Sequence, residues 1–486
     1  MEKKLSNLTP QPLWNYFEEI CNIPHPSKKE EKIIEYVKAF GLSLGLETHT
    51  DEVGNIVIRK PASPGYENRN TIILQSHLDM VPQKNNDTKH NFETDPIQVF
   101  IDGDWVKAKG TTLGADNGIG AASAMAVLAA KDIEHGPIEA LFTVDEETGM
   151  TGAFALKDDF LKGDILLNLD SEDEGELYIG CAGGIDTTAV FHYKTTGITE
   201  PAKAWQIDIK GLKGGHSGLD IHLGRGNANK IITRILWQAQ RECNLLLHSI
   251  DGGSLRNAIP REASAIVVIP DEFAAKFEKL FHELSSKIKN ELKNTEPDLA
   301  LHLSETETPE IVIENGITKR LLNSLYGCPN GVIRMADDMP GVVETSTNLA
   351  IVKSDGEKIQ IATLQRSAVD TAKEDLCNMI RSVFEMAQAE VTHSGSYPGW
   401  KPNVNSPILK TMKRVYEKKF GKTPEVKVIH AGLECGIIGG VYPDLDMISF
   451  GPTIRNPHSP DEKVNIPSVG LFWDYLIETL ANVPEK

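Results

Sequence analysis

The sequence lacks any apolar run long enough to cross a membrane, and the residues after Met1 do not form the apolar centre of a signal peptide. Both absences predict a protein that is neither exported nor inserted in a membrane. Positive charge is also scarce, since 50 Lys and Arg residues stand against 69 Asp and Glu residues and the formal net charge is -19. Nucleic acids and anionic membranes bind clustered Lys and Arg, so this charge argues against either partner.

Cysteine is infrequent, and no Cys-x-x-Cys pair occurs. The six cysteines are Cys21, Cys181, Cys243, Cys328, Cys377 and Cys435. Scattered single cysteines are typical of reduced, mostly buried thiols. The pattern therefore predicts a cytoplasmic protein.

The remaining composition is that of a packed globular protein, with 40% hydrophobic and 24% charged residues over 486 positions. This length predicts about two or three domains. Residues 1–185 alternate helix and strand patterns, and Ser27-Lys28-Lys29-Glu30 matches a capping box that predicts the start of a helix. Strands are predicted at residues 71–74, 138–142 and 165–169. The same alternation returns at 398–486, so the two segments together predict one α/β domain, a mostly parallel sheet covered by helices.

Residues 186–397 have a different pattern, which predicts an inserted α+β domain. Strands are predicted at 204–210, 245–250, 263–269 and 299–303, and helices at 227–240 and 273–292. This βαββαβ order is ferredoxin-like. The following strands at 349–352 and 359–364, a helix at 373–387 and a strand near residue 391 predict a second, degraded copy. The inserted domain is therefore predicted to be doubled.

Potential metal ligands follow the predicted buried strands. In open α/β sheets, ligands bind in the crevice outside the carboxyl ends of the strands. The segments that carry these residues are Ser76-His77-Leu78-Asp79, Gly114-Ala115-Asp116-Asn117-Gly118, Asp145-Glu146-Glu147-Thr148-Gly149, Leu169-Asp170-Ser171-Glu172 and Asn456-Pro457-His458.

Taken singly, each segment is consistent with an ordinary structural role. A His-x-Asp after a strand is usually a hydrogen-bonded pair, an Asp-Glu-Glu is usually a solvated turn, and Gly-Ala-Asp-Asn-Gly suits a turn with a helix cap. Together they indicate chemistry, because two histidines and three carboxylates suit a pair of zinc ions that share one bridging group. An additional Glu beside a ligand suits a general base.

In this order, the five segments resemble the motifs of the co-catalytic zinc peptidases, and the resemblance spans the chain. Further motifs resemble one group within that family, the aminoacyl-histidine dipeptidases, which act on carnosine-like and ordinary dipeptides. These motifs are Gly215-His216-Ser217-Gly218, Arg256-Asn257-Ala258-Ile259-Pro260-Arg261, Gln365-Arg366-Ser367 and His430-Ala431-Gly432-Leu433-Glu434-Cys435-Gly436. The resemblance implies that residues 1–185 and 398–486 form a catalytic domain and residues 186–397 a lid domain.

The resemblance also implies a metal centre with two Zn²⁺ per chain, for which Co²⁺ or Mn²⁺ are alternatives. Asp116 would bridge the ions, with His77 and Asp170 on one and Glu147 and His458 on the other. As in the family, the peptide bond after Asp116 is expected to be cis.

Three catalytic roles follow from the same resemblance. Glu146 would be the general base for the attacking water and would then protonate the leaving amine. Asp79 would orient the ring of His77. His216 would donate a hydrogen bond to the tetrahedral oxyanion, although a satisfied turn histidine is the ordinary alternative.

Asn257, Arg366 and Gly432 match positions that bind the substrate in the family, and Arg366 would hold the terminal carboxylate. A surface ion pair is the ordinary alternative for Arg366. The family habit also implies a homodimer. Two other functions stay open: an N-acyl amino acid deacylase (aminoacylase) with the same ligands, and a non-catalytic metal-bound binding protein.

Overall fold

The structure, a computed structural model, describes residues 4–337 and 339–486. The chain forms two compact units. Unit 1 comprises the described residues of Met1–Cys181, Trp400–Val428 and Leu433–Lys486, and unit 2 those of Ala182–Gly399 and Ile429–Gly432. The first residues of the region considered for a signal peptide, 1–3, lie outside the described residues.

The first segment of unit 1 alternates helices and strands. Its elements are α1 (Gln11–Cys21), α2 (Glu31–Ser43), β1 (Glu47–Thr50), β2 (Ile56–Lys60), β3 (Ile72–His77), β4 (Val99–Asp102), β5 (Trp105–Ala108), α3 (Ala115–Ala129), β6 (Ile138–Thr143), α4 (Glu146–Gly149), α5 (Thr151–Ala155), β7 (Ile165–Asn168) and β8 (Glu176–Cys181).

Unit 2 is richer in strands. Its elements are β9 (Gly183–His192), β10 (Thr195–Gly197), β11 (Ala202–Lys210), β12 (Gly215–His216), α6 (Ala228–Cys243), β13 (Leu246–Gly252), β14 (Ala258–Ile259), β15 (Ala263–Pro270), α7 (Ala274–Leu292), β16 (Ala300–Thr306), β17 (Ile311–Ile313), α8 (Asn315–Gly327), β18 (Gly331–Met335), β19 (Val343–Ser354), β20 (Lys358–Ser367), α9 (Asp370–Met386) and β21 (Glu390–Tyr397).

The last segment returns to alternating helices and strands. Its elements are α10 (Pro407–Phe420), β22 (Glu425–Ile429), α11 (Glu434–Val441), β23 (Asp446–Ser449), β24 (Ile454–Arg455), β25 (Lys463–Asn465) and α12 (Ile466–Ala481). Within the described ranges, none of the helices has both the length and the apolar character that crossing a membrane requires.

An eight-stranded sheet lies at the centre of unit 1, in the order β1-β2-β6-β3-β7-β23-β8-β22. Strands β6, β3, β7 and β23 are parallel, whereas β1, β2 and β8 pair antiparallel to their neighbours. The sheet is therefore mixed rather than mostly parallel. β3 and β6 are buried at every position, as expected for central strands covered on both faces, whereas β1 is largely exposed and suits an antiparallel edge.

Helix α3 is one of the helices that cover this sheet. Its sequence is rich in Ala and Gly, and nearly all of its residues are buried. Small side chains allow it to pack closely against both α1 and β3. This packing places the first residues of α3 near the carboxyl end of β3, which is where ligands bind in sheets of this kind.

Unit 2 contains a nine-stranded antiparallel sheet, in the order β16-β11-β15-β13-β19-β20-β9-β21, with β18 paired to β19. One half is a ferredoxin-like unit in the chain order β11-α6-β13-β15-α7-β16. The other half has the same order in β9-α8-β19-β20-α9-β21, so the prediction of a degraded copy was wrong. The second copy is complete, but the first copy is inserted in the chain between β9 and α8.

The two copies of unit 2 share one hydrophobic core. Ile235, Phe277 and Phe384, from α6, α7 and α9, are buried in the same cluster as strand residues such as Ile207 and Ile361. The predicted fold class, an α/β domain with an inserted and doubled α+β domain, is confirmed.

Candidate metal centre and substrate residues

The parallel strands of unit 1 bring several predicted site residues to one edge of the sheet. His77 is the last residue of β3, Glu146 and Glu147 follow β6, and Asp170 follows β7. Because β6, β3 and β7 are neighbouring parallel strands, their carboxyl ends lie side by side. The sheet therefore gathers residues that are far apart in the sequence.

Asp116 and His458 reach the same place from a helix start and a loop. Asp116 is the second residue of α3, and the Asp116–Asn117 peptide bond is cis, as predicted. His458 lies in the loop between β24 and β25, with a left-handed backbone at φ 59°. Such conformations are uncommon for residues other than glycine and cluster at functional sites.

These side chains form two groups that share Asp116. His77 Nε2 lies 3.2 Å from Asp116 Oδ1 and 3.4 Å from Asp170 Oδ1. His458 Nε2 lies 3.2 Å from Asp116 Oδ2 and 3.0 Å from Glu147 Oε2. In each group of three residues, one potential ligand atom per residue lies within 4.8 Å of the others. Each oxygen of Asp116 thus faces a different histidine.

Asp79 fixes the ring of His77. Nδ1 of His77 donates to the main-chain oxygen of Asp79 at 3.0 Å and lies 3.3 Å from Asp79 Oδ1, so Nε2 is directed at the cluster. The Asp79 carboxylate also accepts from the N–H groups of Glu146 (2.9 Å) and Glu147 (3.2 Å) and from Ser27 Oγ (2.7 Å). The Asp79 carboxylate therefore links His77 to the turn that carries Glu146 and Glu147, as an orienting carboxylate does at metal sites.

The contact of Ser27 with Asp79 corrects the capping-box prediction. Helix α2 begins at Glu31, its N-cap is Glu30, and no side chain caps it. The hydroxyl of Ser27 instead donates to Asp79 Oδ2 and to the main-chain oxygen of Met80. The local sequence pattern is typical of a helix start, but the hydroxyl of Ser27 bonds to residues 52 and 53 positions away.

The donor set fits divalent metal ions. Burial lowers the pKa of His77, but Asp170, Asp116 and Asp79 outweigh this effect and raise it well above its usual range. Hydrogen bonds to Asp116 and Glu147 raise the pKa of His458 to about 11. The carboxylates thus stabilise positive charge at both imidazoles.

The same carboxylates have oxygens left to bind a cation. Glu147 Oε1 and Asp170 Oδ1 are buried without a hydrogen-bond partner among the described residues. Histidine nitrogens and carboxylate oxygens are ligands that Zn²⁺ uses in proteins, and ions bound there would displace the protons that the imidazoles otherwise hold.

Glu146 lies beside this cluster, and His77, Glu146 and Glu147 also have side-chain atoms within 4.8 Å of one another. Desolvation and the charges of Asp170, Glu434 and Glu147 raise the pKa of Glu146 well above its usual range, against the effect of His77. Glu146 is thus a desolvated carboxylate beside the proposed ligands, which is a position that suits a general base.

In unit 2, His216 and Arg366 are close enough for their charges to interact. Burial and the charge of Arg366 lower the pKa of His216 to about 4, so the ring is neutral at pH 7. Its Nδ1 accepts from the N–H groups of Gly218 (3.2 Å) and Leu219 (3.0 Å), which places the ring proton on Nε2. His216 can therefore donate a hydrogen bond through Nε2.

Arg366, on β20, is 5% exposed. Its Nη1 donates to Tyr397 Oη at 2.9 Å, while its Nε has no hydrogen-bond partner in the part of the chain that the structure describes. This buried donor is not part of the surface ion pair that was the ordinary alternative.

Asn257 and Gly432 lie on loops of the same unit. The main-chain oxygen of Asn257 accepts from Ser217 N at 2.8 Å, which joins its loop to that of His216, and the Asn257 residue is exposed. Gly432 ends the segment Ile429–Gly432, which bonds to Ala182 N through the main-chain oxygens of Ile429 and Ala431. His216, Asn257 and Gly432 thus lie on loops or at the end of a short strand, whereas Arg366 lies within β20.

One buried carboxylate, Glu434, has no role in the sequence predictions although it lies in one of the quoted motifs. It is 0% exposed, and its Oε2 accepts from Gln75 Nε2 (2.6 Å) and Thr143 Oγ1 (2.8 Å). Burial raises the pKa of Glu434 to about 7. Its partners lie on β3 and β6, so Glu434 stabilises the strand that ends at His77 and the strand that leads to Glu146 and Glu147. The sequence does contain one signal that could have identified Glu434, because this charged residue begins the otherwise apolar helix α11.

The loop of Asp170 is packed tightly against Gly451, where a Cβ atom would lie 1.7 Å from the main-chain oxygen of Ser171. We therefore expect Gly451→Ala to lower the free energy of unfolding by about 1–3 kcal/mol and to weaken metal binding through Asp170. Denaturant unfolding and metal titration would measure the two effects. Gly327→Ala is the control, because a Cβ at Gly327 meets nothing within 4 Å. Parent-like stability of Gly451→Ala would contradict the close approach.

Comparison with known proteins gives three findings. A model of peptidase family M20/M25/M40 matches residues 73–482. The cytosol non-specific dipeptidase of Escherichia coli (strain K12) is 48% identical over 483 residues, which cover 99% of this chain and 100% of that protein. The crystal structure of aminoacylhistidine dipeptidase from Vibrio alginolyticus is 51% identical, with a TM-score of 0.95 over 100% of this chain and 99% of that one.

A more distant structure shares the fold alone. The crystal structure of aminopeptidase PepT from Bacillus cereus is 19% identical, with a TM-score of 0.58 over 98% of this chain and 99% of that one.

Proposed function

We propose that this chain, which belongs to peptidase family M20/M25/M40 and is a metallopeptidase, hydrolyses the peptide bond of dipeptides with two Zn²⁺ ions. The observation that carries the proposal is the pair of donor groups sharing Asp116, with Glu146 beside them. Two metals bridged by one carboxylate are a common arrangement for hydrolysis.

The substrate class is supported by the relatives. Two proteins that share about half of their residues with this chain are named as dipeptidases, one non-specific and one acting on aminoacyl-histidine. We infer that dipeptides, including Xaa-His and beta-alanyl-histidine (carnosine), are the substrates of this chain.

In the proposed metal centre, His77 and Asp170 would hold one ion, Glu147 and His458 would hold the other, and Asp116 would be shared between them. The bound ions would polarise the scissile carbonyl and lower the pKa of the attacking water. Zn²⁺ suits the mixture of histidine and carboxylate ligands, and Co²⁺ or Mn²⁺ are alternatives.

The protein's own groups move the protons. Glu146 accepts the proton of the attacking water and then passes it to the leaving amine. Asp79 keeps Nε2 of His77 directed at the cluster. The Nε2–H of His216 donates to the oxyanion of the tetrahedral intermediate, a role that suits a neutral ring whose Nδ1 is already an acceptor.

Substrate binding is assigned to unit 2. Arg366 binds the terminal carboxylate of the dipeptide, which is supported by a buried guanidinium whose Nε has no hydrogen-bond partner among the residues described. Asn257 and Gly432 bind the substrate's main chain. A requirement for a free carboxylate on the residue that follows the scissile bond would select dipeptides over longer chains.

A cytoplasmic location is part of the proposal. The name of the relative from Escherichia coli places that enzyme in the cytosol. All six cysteines of this chain are buried and none belongs to a Cys-x-x-Cys pair, which suits a reducing compartment. A homodimer is also proposed, on the resemblance to the dipeptidase group.

Two other functions would use the same ligands. An N-acyl amino acid deacylase would need the same metals, but both near relatives are named as dipeptidases. A non-catalytic binding protein would not need Glu146, a desolvated carboxylate that the proposed ligand set leaves over and that is costly to keep without a role.

A substrate panel tests the proposal. Zn²⁺-loaded protein would be assayed against carnosine, a plain dipeptide, a tripeptide and an N-acetyl amino acid. We expect hydrolysis of both dipeptides and little hydrolysis of the other two. Preferential hydrolysis of the N-acetyl amino acid would support the deacylase instead, and no turnover of any of the four would support the binding protein.

A further inference from the structure

The loop that carries His458 ends in a second buried carboxylate, Glu462. Its side chain is in the protein interior, with 2% of the residue exposed. Its own N–H donates to the main-chain oxygen of Ser459 at 3.0 Å, which closes the loop between the two residues. Glu462 is followed directly by β25, which pairs with β5. The carboxylate is thus held between a short turn and a strand.

Both oxygens of Glu462 accept hydrogen bonds from the chain that leads into α3. Oε2 accepts from Leu113 N at 2.7 Å and Gly114 N at 3.0 Å. Oε1 accepts from Ala115 N at 2.8 Å and Asp116 N at 3.3 Å. Gly114 has a left-handed backbone at φ 73°, which bends this chain around the carboxylate. Four consecutive main-chain N–H groups therefore bind one side chain.

This contact joins two segments that carry proposed metal ligands. Asp116 is the last of the four donors, and His458 lies four positions before Glu462 in the sequence. The two ligands are themselves 3.2 Å apart, between His458 Nε2 and Asp116 Oδ2. Neither backbone is part of a long strand or helix interior, so local secondary structure alone does not set this separation.

A buried carboxylate at position 462 is energetically unfavourable unless the geometry of its two oxygens serves a purpose. Burial of a charge costs free energy that hydrogen bonds only partly offset. The nearby carboxylate of Asp116 adds charge repulsion to this cost. A group that only filled space there would be more favourable if it were neutral. What the carboxylate supplies is two fixed acceptor oxygens for two pairs of N–H groups.

We propose that Glu462 is a positioning residue of the metal centre: by binding the four N–H groups of residues 113–116 it holds Asp116 at the distance from His458 that two bound ions require. The proposal rests on the proposed function, because it assumes that Asp116 and His458 are ligands. In this role Glu462 would act through the position of Asp116 and would not itself be a metal ligand. Carboxylates that orient metal ligands typically contribute about 10- to 100-fold to metal affinity.

The test compares two equally buried glutamates. Glu462→Gln replaces one acceptor oxygen with an NH₂ group that faces N–H donors. Glu139→Gln is the matched control, because Glu139 is also 2% exposed and accepts from two main-chain N–H groups, Lys162 N (2.8 Å) and Gly163 N (2.9 Å), away from the metal ligands. Metal-free parent and variants would be titrated with Zn²⁺ by equilibrium dialysis, and their melting temperatures would be measured without metal.

We expect both variants to melt below the parent, but only Glu462→Gln to raise the dissociation constant of at least one Zn²⁺, by about tenfold or more. Parent-like Zn²⁺ binding by Glu462→Gln would overturn the proposal. An equal loss of affinity in Glu139→Gln would also overturn it, because the effect would then be general destabilisation. Failure of the parent to bind Zn²⁺ would count against the proposed metal centre instead.

A second variant covers the case in which Glu462→Gln does not fold. Glu462→Asp keeps the charge, but its side chain is one methylene shorter and cannot reach all four N–H groups in the observed geometry. Its Zn²⁺ dissociation constant should rise, and a folded Glu462→Asp protein with parent-like affinity would contradict the role.

Discussion

Replacing Glu146 with glutamine is expected to lower kcat by about 10²- to 10⁴-fold, the usual contribution of a general base. Glutamine has nearly the same shape but cannot accept the proton of the attacking water. The proposed ligands, including the neighbouring Glu147, are unchanged, so two metal ions per chain should stay bound. Steady-state kinetics and metal analysis of the same preparation would measure both quantities.

His458→Ala is the contrasting variant. It removes a proposed ligand rather than the base, so it should weaken one metal site and lose activity that excess metal partly restores. Excess metal should not restore activity to Glu146→Gln. If Glu146→Gln kept near-normal turnover, or lost its metal as His458→Ala does, its assignment as the base would be wrong.

Replacing Arg366 with methionine is expected to lower kcat/KM on dipeptides by about 30-fold or more. Removal of one partner of a buried charge pair costs roughly 2–5 kcal/mol, and each 1.4 kcal/mol or so is a factor of about ten. Methionine keeps much of the volume of the side chain but offers no donor to the substrate carboxylate. Metal content should be unchanged, because Arg366 lies in unit 2 and the proposed ligands all lie in unit 1.

A dipeptide amide separates carboxylate binding from other roles of Arg366. The amide has no terminal carboxylate, so it should be a poor substrate of the parent and should be hydrolysed at nearly the same rate by Arg366→Met. Arg59→Met is a matched variant, since Arg59 is a half-buried arginine of unit 1 paired with Glu139. It should change the ratio between the two substrates little. Equal slowing of acid and amide in Arg366→Met would refute the carboxylate role.

The central strands could be predicted because their signal is local. β3, β6 and β7 are short apolar runs buried at every position, and such runs are typical of covered strands. β9 and α8 were not predicted. β9 begins with Gly-Gly and carries Asp and Thr, and α8 begins with Asn-Gly, which weakens the strand and helix patterns. Without these two elements, the second copy in unit 2 looked incomplete.

The residues of the candidate site likewise fall into those that have a local signal in the sequence and those that have none. Residues at strand ends, such as His77 and Asp170, could be proposed from position and type, and the structure brings them together with Asp116, Glu147 and His458. Their roles as ligands stay predictions, and so do those of the residues in unit 2.

The supporting carboxylates could not be found in that way. Glu434 bonds to partners 291 and 359 positions away, and Glu462 to partners 346–349 positions away. Neither has a local pattern, because the groups that satisfy them come from distant parts of the chain. The misassigned Ser27 has the same cause, since its partner Asp79 is 52 positions away.

The most direct test of the two-metal proposal is the activity of metal-free protein as Zn²⁺ is added in known equivalents. Chelation should abolish dipeptide hydrolysis, because water alone is too weak a nucleophile for the amide at neutral pH. Activity should return as Zn²⁺ is added and reach its maximum at two equivalents per chain, measured together with bound metal. Full activity at one equivalent, or undiminished activity in verified metal-free protein, would contradict a centre in which Asp116 bridges two ions.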